Sequence, residues 1–155
     1  MKNFYKKGMT IIELLVVIAV LGIIFSIVLP QFSKIKENQV LKNGVEDIIS
    51  SVNKARGQTL ASLNSFSYGV HFEFDKVIIF KGTVFSDVDE ENETINIITP
   101  ASITNVTLGG ASGTSGNIFF NRLSGAPSTT GTITISTTSY SKIITISATG
   151  VASVD

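Results

Sequence analysis

Gly8-Met-Thr-Ile-Ile-Glu13-Leu-Leu-Val-Val-Ile-Ala-Val-Leu-Gly22-Ile-Ile-Phe-Ser-Ile-Val-Leu-Pro30 is the stretch on which the fold turns. From Met9 to Leu29 the apolar run, at ~1.5 Å of helical rise per residue, reaches about 31 Å, close to the ~30 Å of a bilayer's hydrocarbon core. It carries one charged side chain, Glu13. A charge inside a spanning helix costs on the order of 2.5–3.5 kcal/mol at the centre, so a chain that keeps one is expected to use it. A secretory signal has a shorter apolar core followed by a small-x-small cleavage site. Leu29-Pro30-Gln31-Phe32 offers no such site, so the segment is expected to be retained. The lysines at 2, 6 and 7 ahead of it keep the leader cytoplasmic by the positive-inside rule.

Outside this helix, about 100 of the 155 residues remain for one modest globular domain. The formal net charge is zero, twelve basic residues against twelve acidic. Removing the three leader lysines leaves nine against twelve, so the mature chain is slightly acidic, which argues against electrostatic capture of nucleic acid. There is no cysteine, hence no disulfide framework, thiolate metal site or thiol nucleophile.

Helical patterning continues past Pro30. Apolar residues fall at Phe32, Ile35, Leu41, Val45, Ile48, Ile49, Val52, Ala55 and Leu60, and from Leu41 their spacing traces one helical face. The pattern predicts one helix over about 9–62, kinked or loosened at Pro30, where a backbone hydrogen bond is lost, with Gly44 as a second soft point. Beyond Asn64 the pattern changes to short β-type runs: 68–74, 77–80 after a turn at Asp75-Lys76, 83–85, 94–98, 103–108, 118–120, 132–136, 143–147 and 151–154. Thr132-Ile-Thr-Ile-Ser136 and Ile144-Thr-Ile-Ser147 alternate as strands with one buried face do. Residues 109–116 and 124–131 read as loops. The fold class is α+β: a long N-terminal helix whose second half packs on a C-terminal antiparallel β-sheet domain.

The Gly8-Met9 junction, the Thr-Ile-Ile-Glu13-Leu that follows, the apolar run and Pro30 resemble the N-terminus of type IV pilins and type II secretion pseudopilins. Lys54-Ala-Arg56, Tyr68-Gly-Val70, Ile118-Phe-Phe120 with Gly125, and the closing Ile144-Thr-Ile-Ser-Ala-Thr-Gly150-Val resemble the GspH/FimT group of minor pilins and pseudopilins. The resemblance implies a pilin-like fold in three parts: a cleaved leader at 1–8, a transmembrane and filament-core helix at 9–30, and a globular domain at 31–155, helical to about 62 and β-rich from about 67. It further implies that a prepilin peptidase cuts between Gly8 and Met9, that the new Met9 amine is N-methylated, and that Glu13 serves filament assembly. Pro30 marks the family's helix kink. The partners implied are the peptidase, like subunits in a filament, a platform membrane protein with its assembly ATPase, and membrane lipid before assembly. The subunit would sit as a single-pass protein of the cytoplasmic (inner) membrane, its domain outside, and then enter a periplasmic or cell-surface filament. A structural subunit, minor rather than major, of a type IV pilus-like or type II secretion filament is the function implied. A DNA-binding minor pilin and a major pilin are the alternatives, and secretion, motility, adhesion and competence machines all remain open.

Physical chemistry bears on these roles. Glu13 lies about one turn from the mature terminus, and in the filament that the resemblance implies its carboxylate pairs with the Met9 ammonium of a neighbouring subunit. A residue without Cβ at Gly8 suits a narrow peptidase cleft. The lone histidine, His71, sits on an alternating strand and reads as a half-buried or surface side chain. Asp87, Asp89, Glu90 and Glu91 are oxygen donors at close spacing, weak candidates for calcium, but they lack the glycine and ligand register of an EF-hand. They read as a solvated loop, and no metal or other cofactor is expected. Without cysteine, with one histidine and without a recognisable acid–base pair, the chain is not expected to be an enzyme. After Gly82 the basic residues are Arg122 and Lys142 alone, too few for a nucleic-acid surface.

Overall fold

The computed structural model describes residues 8–154; the basic leader at 1–7 lies outside them. The chain divides into two compact units, residues 1–36 and 37–155. Helix α1 (Ile11–Leu60) supplies most of the described part of the first unit and the opening element of the second, and its helical backbone continues through Pro30. In the first unit the apolar side chains of 11–28 are exposed throughout.

The second unit adds a 3-10 turn (Leu63–Ser65) and nine strands: β1 (Tyr68–Phe72), β2 (Lys76–Lys81), β3 (Glu93–Asn96), β4 (Ser102–Leu108), β5 (Ala111–Gly113), β6 (Gly116–Phe119), β7 (Gly131–Ser136), β8 (Ser141–Ile146) and β9 (Ala152–Val154). They form two antiparallel sheets, ordered β3-β2-β1-β6 and β5-β4-β7-β8-β9. The amide of Ile103 donates to Phe74 O at 2.9 Å and ties the start of β4 to the end of the β1 segment.

One core joins the helix to both sheets. Leu41, Ile48, Val52 and Ala55 of α1 meet Val70, Phe72, Val77, Ile79 and Ile118 from one sheet and Ile103, Val106, Ile133, Ile135, Ile144 and Ile146 from the other. From Leu41 to Ala55 the α1 stripe is the one its spacing predicts, with Ser51 buried beside it. Leu60 is exposed, and Thr59 is fully buried in its place. Thr59 Oγ1 donates to Ala55 O at 2.9 Å and accepts the Tyr68 amide at 2.8 Å, joining the helix end to the first strand. A buried hydroxyl is tolerated when both its donor and acceptor roles are filled.

Three local expectations are corrected. Gly44 is not a soft point: a Cβ there would stand 2.6 Å from Ile135 Cδ1, so glycine lets the helix backbone approach β7 closely. Gly44→Leu is expected to destabilise the second unit by about 1–3 kcal/mol through overpacking, read as a lower urea midpoint. Residues 83–85 are not a strand. They fold over the outer face of β1 and β2, where the Phe85 ring stacks on His71 at 3.9 Å and meets Phe80 edge-on at 5.5 Å. The Phe85 ring thus covers Phe80, which is buried although it alternates with the core-facing Val77 and Ile79. Finally, Ala111–Gly113, expected as loop, forms β5 on the edge of β4.

Candidate functional site

Gly8, Met9 and Glu13, three of the N-terminal residues expected to carry function, are exposed. A Cβ on Gly8 would meet nothing within 4 Å among the described residues, so the chain's own fold does not demand a glycine there. Met9 is 65% exposed. Thr10 precedes the first helical residue, and its carbonyl accepts the amide of Leu14 at 3.1 Å. Thr10 Oγ1 accepts the Glu13 amide at 3.3 Å, and Glu13 Oε2 lies 3.5 Å from the Thr10 amide. This is a long-armed capping box, two side chains reciprocally satisfying amides that the helix start leaves unpaired. The acid expected to neutralise a terminus therefore also closes the first turn. The signal was present as a threonine three residues ahead of a glutamate at the head of an apolar run, and the assembly reading of Glu13 overlooked it. From Ile11 the helix is long and apolar enough to cross a membrane, and none of its most apolar stretch is buried.

The acidic residues after β2 do not converge on a point. Asp89 Oδ1 accepts the Glu91 amide at 3.0 Å, and Glu91 pairs with Lys81 Nζ at 2.7 Å. Among the described residues no group of three or more histidine or acidic side chains is arranged to hold a metal ion. His71 is half-buried, with Nε2 3.4 Å from Glu73 and a buried Nδ1 that has no partner. Burial holds its pKa below the ordinary histidine value, the nearby Lys76 adds to that, and Glu73 and Asp87 oppose it. The folded state therefore resists a proton that the unfolded chain accepts. His71 stabilises the fold above the ordinary histidine pKa and loses that contribution as pH falls through its lowered value. The urea midpoint is expected to drop between pH 7.5 and 5.5, and less steeply in His71→Gln.

Sequence reading did not foresee a clasp at the end of α1. Arg56 Nε donates to Gly125 O and to Thr149 O, each at 3.1 Å. Gly125 and Gly150 both adopt positive φ, 64° and 79°, and a Cβ on Gly150 would collide with Gly125 O. Three positions far apart in the chain, each within a segment that carries the GspH/FimT resemblance, thus meet at one corner.

Residues 3–29 match the family model of the prokaryotic N-terminal methylation motif. Residues 44–150 match that of type II transport protein GspH, which covers more than two thirds of the chain. The chain belongs to the GspH family. Searches of curated proteins and of solved structures each return no match. The GspH match opens at the close-packed Gly44 and closes at Gly150 of the Arg56 clasp. Together the two matches make the chain a minor pseudopilin of type II secretion with a prepilin-type N-terminus, a structural and non-enzymatic protein. They resolve the machine that the N-terminal pattern left open. The motif implies processing by prepilin peptidase and association with secretion machinery, and with the exposed apolar helix it is consistent with inner-membrane anchoring before assembly.

Proposed function

We propose that this GspH-family chain is a filament subunit of the type II secretion pseudopilus, released from its leader between Gly8 and Met9, N-methylated at Met9, and held in the filament by Glu13. Before assembly, residues 9–30 cross the inner membrane and residues 31–155 lie outside. An ATPase acting through a platform protein then drives the subunit into a bundle of like helices, with Pro30 as the point where the helix opens on packing.

The observation that carries this reading is the apolar stretch 11–28 at the start of α1, exposed throughout and with a lone carboxylate in its first turn. A helix apolar on all sides needs lipid or other apolar helices around it. A carboxylate in either setting needs a counter-charge or a hydrogen-bond donor. Cleavage ahead of Met9 creates an ammonium one residue from Thr10, within reach of the Glu13 carboxylate of an adjacent copy. Leader removal also strips three lysines, which lowers the electrostatic cost of drawing the terminus out of the cytoplasmic interface.

Gly8→Trp separates processing from folding. The precursor is expected to stay uncut, seen as an unshifted band beside cleaved wild type. The urea midpoint of the folded unit should not change, because a Cβ at position 8 meets nothing within 4 Å among the described residues. Normal cleavage of Gly8→Trp would remove the case for a peptidase cut at this junction.

A further inference from the structure

We propose that the free edge of β3 accepts an extended segment of another protein as an added strand, and that a lysine or arginine of that segment enters the cleft between β3 and α1 to meet Asp47. The contact needs neither the leader cut nor the Glu13 pair, so it stands or falls apart from the filament reading.

β3 is the end strand of its sheet. Along an antiparallel strand the backbone groups of successive residues face the partner strand and face away from it by turns. The Ile97 amide donates to Asp75 O at 2.7 Å and so sets the alternation. Lys76↔Asn96 and Ile78↔Thr94 are then the pairs without mutual hydrogen bonds, and the N–H and C=O of Thr94 and Asn96 point away from β2. Both residues are exposed. Natural edges are blunted by proline, lysine, a bulge or a cover. β3 reads Glu93-Thr-Ile-Asn96, without proline or lysine, and its register on β2 is unbroken. Such an edge is a template for strand addition, in which main-chain hydrogen bonds give affinity and side-chain pockets give selectivity.

The selectivity lies on the side of α1. Glu93 and Ile95 pair with the core-facing Ile79 and Val77, so alternate side chains of β3 point towards the helix, and those of an added strand would follow the same pleat. A cleft of about 150 Å³ opens there, lined by Asp47, Ser50 and Lys54 of α1 and by Glu93 and Ile95 of β3. Lys54 is committed to Glu93, with Nζ 2.6 Å from each carboxylate oxygen. Asp47 makes no ion pair among the described residues. Burial, and then the neighbouring Glu46, hold its pKa above the ordinary aspartate value. An incoming ammonium or guanidinium supplies the counter-charge that Asp47 lacks. The turn ahead of β3 adds Asp87, Asp89 and Glu90, and no basic residue falls between Asp87 and Glu93. The segment that fits is therefore extended and basic. A second copy of this chain does not qualify, because its own β3 holds no base and joining two β3 edges would set like charges together.

The probe is the full-length chain with photoreactive p-benzoylphenylalanine in place of Asn96, made in cells that produce the secretion machinery. Irradiation is expected to give one adduct with a different protein, and mass spectrometry should find a lysine or arginine beside the crosslinked residue or one position removed. Thr94→Pro deletes the outward N–H, a change that edge strands tolerate. Asp47→Asn deletes the charge and keeps the shape. Each is expected to lower the adduct at least tenfold and to leave the urea midpoint at the wild-type value, because neither group loses a partner within the chain. If Thr94→Pro lowers the midpoint, Asp47→Asn decides alone. No adduct, an adduct with a second copy, a crosslinked segment without a basic residue, or an adduct that either folded variant leaves at wild-type level overturns the proposal. Sheared filaments from the same cells separate the two readings. Wild-type chain in the filament without an adduct at position 96 removes the strand addition and leaves the filament role, whereas wild-type chain absent from the filament removes the filament role whatever the adduct shows.

Discussion

Glu13→Val is expected to accumulate in the membrane at wild-type level, lose its leader normally, and be missing from sheared filaments. Two effects of opposite sign set this result. Insertion becomes easier, because an acid that costs on the order of 2.5–3.5 kcal/mol within lipid is gone. Assembly becomes harder, because the Met9 ammonium of the neighbour is left buried without a partner, a loss of about 3–5 kcal/mol. At 1.4 kcal/mol per factor of ten, incorporation should fall by roughly two to three and a half orders of magnitude. Because Glu13 also caps the first turn through the Thr10 amide, Glu13→Gln is the informative control. Its side-chain carbonyl still accepts that amide while the charge is gone. Incorporation as poor as for valine assigns the effect to charge, whereas near-normal incorporation assigns it to the cap and removes the ion-pair account. Glu13→Asp is expected to be partly tolerated.

Gly150→Val is expected to give the largest loss of stability of any substitution proposed for the folded unit. At φ 79° an L side chain is strained, by about 1–3 kcal/mol. The added atoms would also collide with Gly125 O and press on Arg56, and overpacking of this kind costs about 1–3 kcal/mol more. With a urea slope of roughly 1–3 kcal/mol per molar, the midpoint of the detergent-solubilised chain in pulse proteolysis should fall by about 1 M or more. Arg56→Ala attacks the same corner from the other side. It removes a charged donor shared by two carbonyls and is expected to cost about 1.5–3 kcal/mol. A Gly150→Val chain as resistant as wild type would show that the corner rearranges freely and that the clasp contributes nothing.

The parts of this protein that could be read without coordinates are those whose signal is local. An unbroken apolar run of membrane length with one acid, the 3.6-residue stripe from Leu41 to Ala55, and the alternation of 132–136 and 144–147 each report a periodicity imposed by neighbours along the chain. They were enough for the α+β class and the pairing of helix with sheet. The capping role of Glu13 is equally local, a threonine three residues before a glutamate.

What tertiary structure decided depends on groups brought together from a distance. Gly44 looks like a flexible point in isolation and becomes a close-packing point only when Ile135 of β7 lies 2.6 Å from where its Cβ would be. Phe85, in a run with β composition, becomes a cover because the outer face of β1 and β2 offers His71 and Phe80. Ala111–Gly113 has no strand propensity and pairs because β4 presents a free edge beside it. Arg56 meets Gly125 and Thr149 across 69 and 93 residues of chain, a separation no local pattern encodes. Periodicity along the chain determined which residues face inward; the partners that each of them finds there were set by the three-dimensional arrangement, because hydrogen bonds and van der Waals contacts act only over a few ångströms of space.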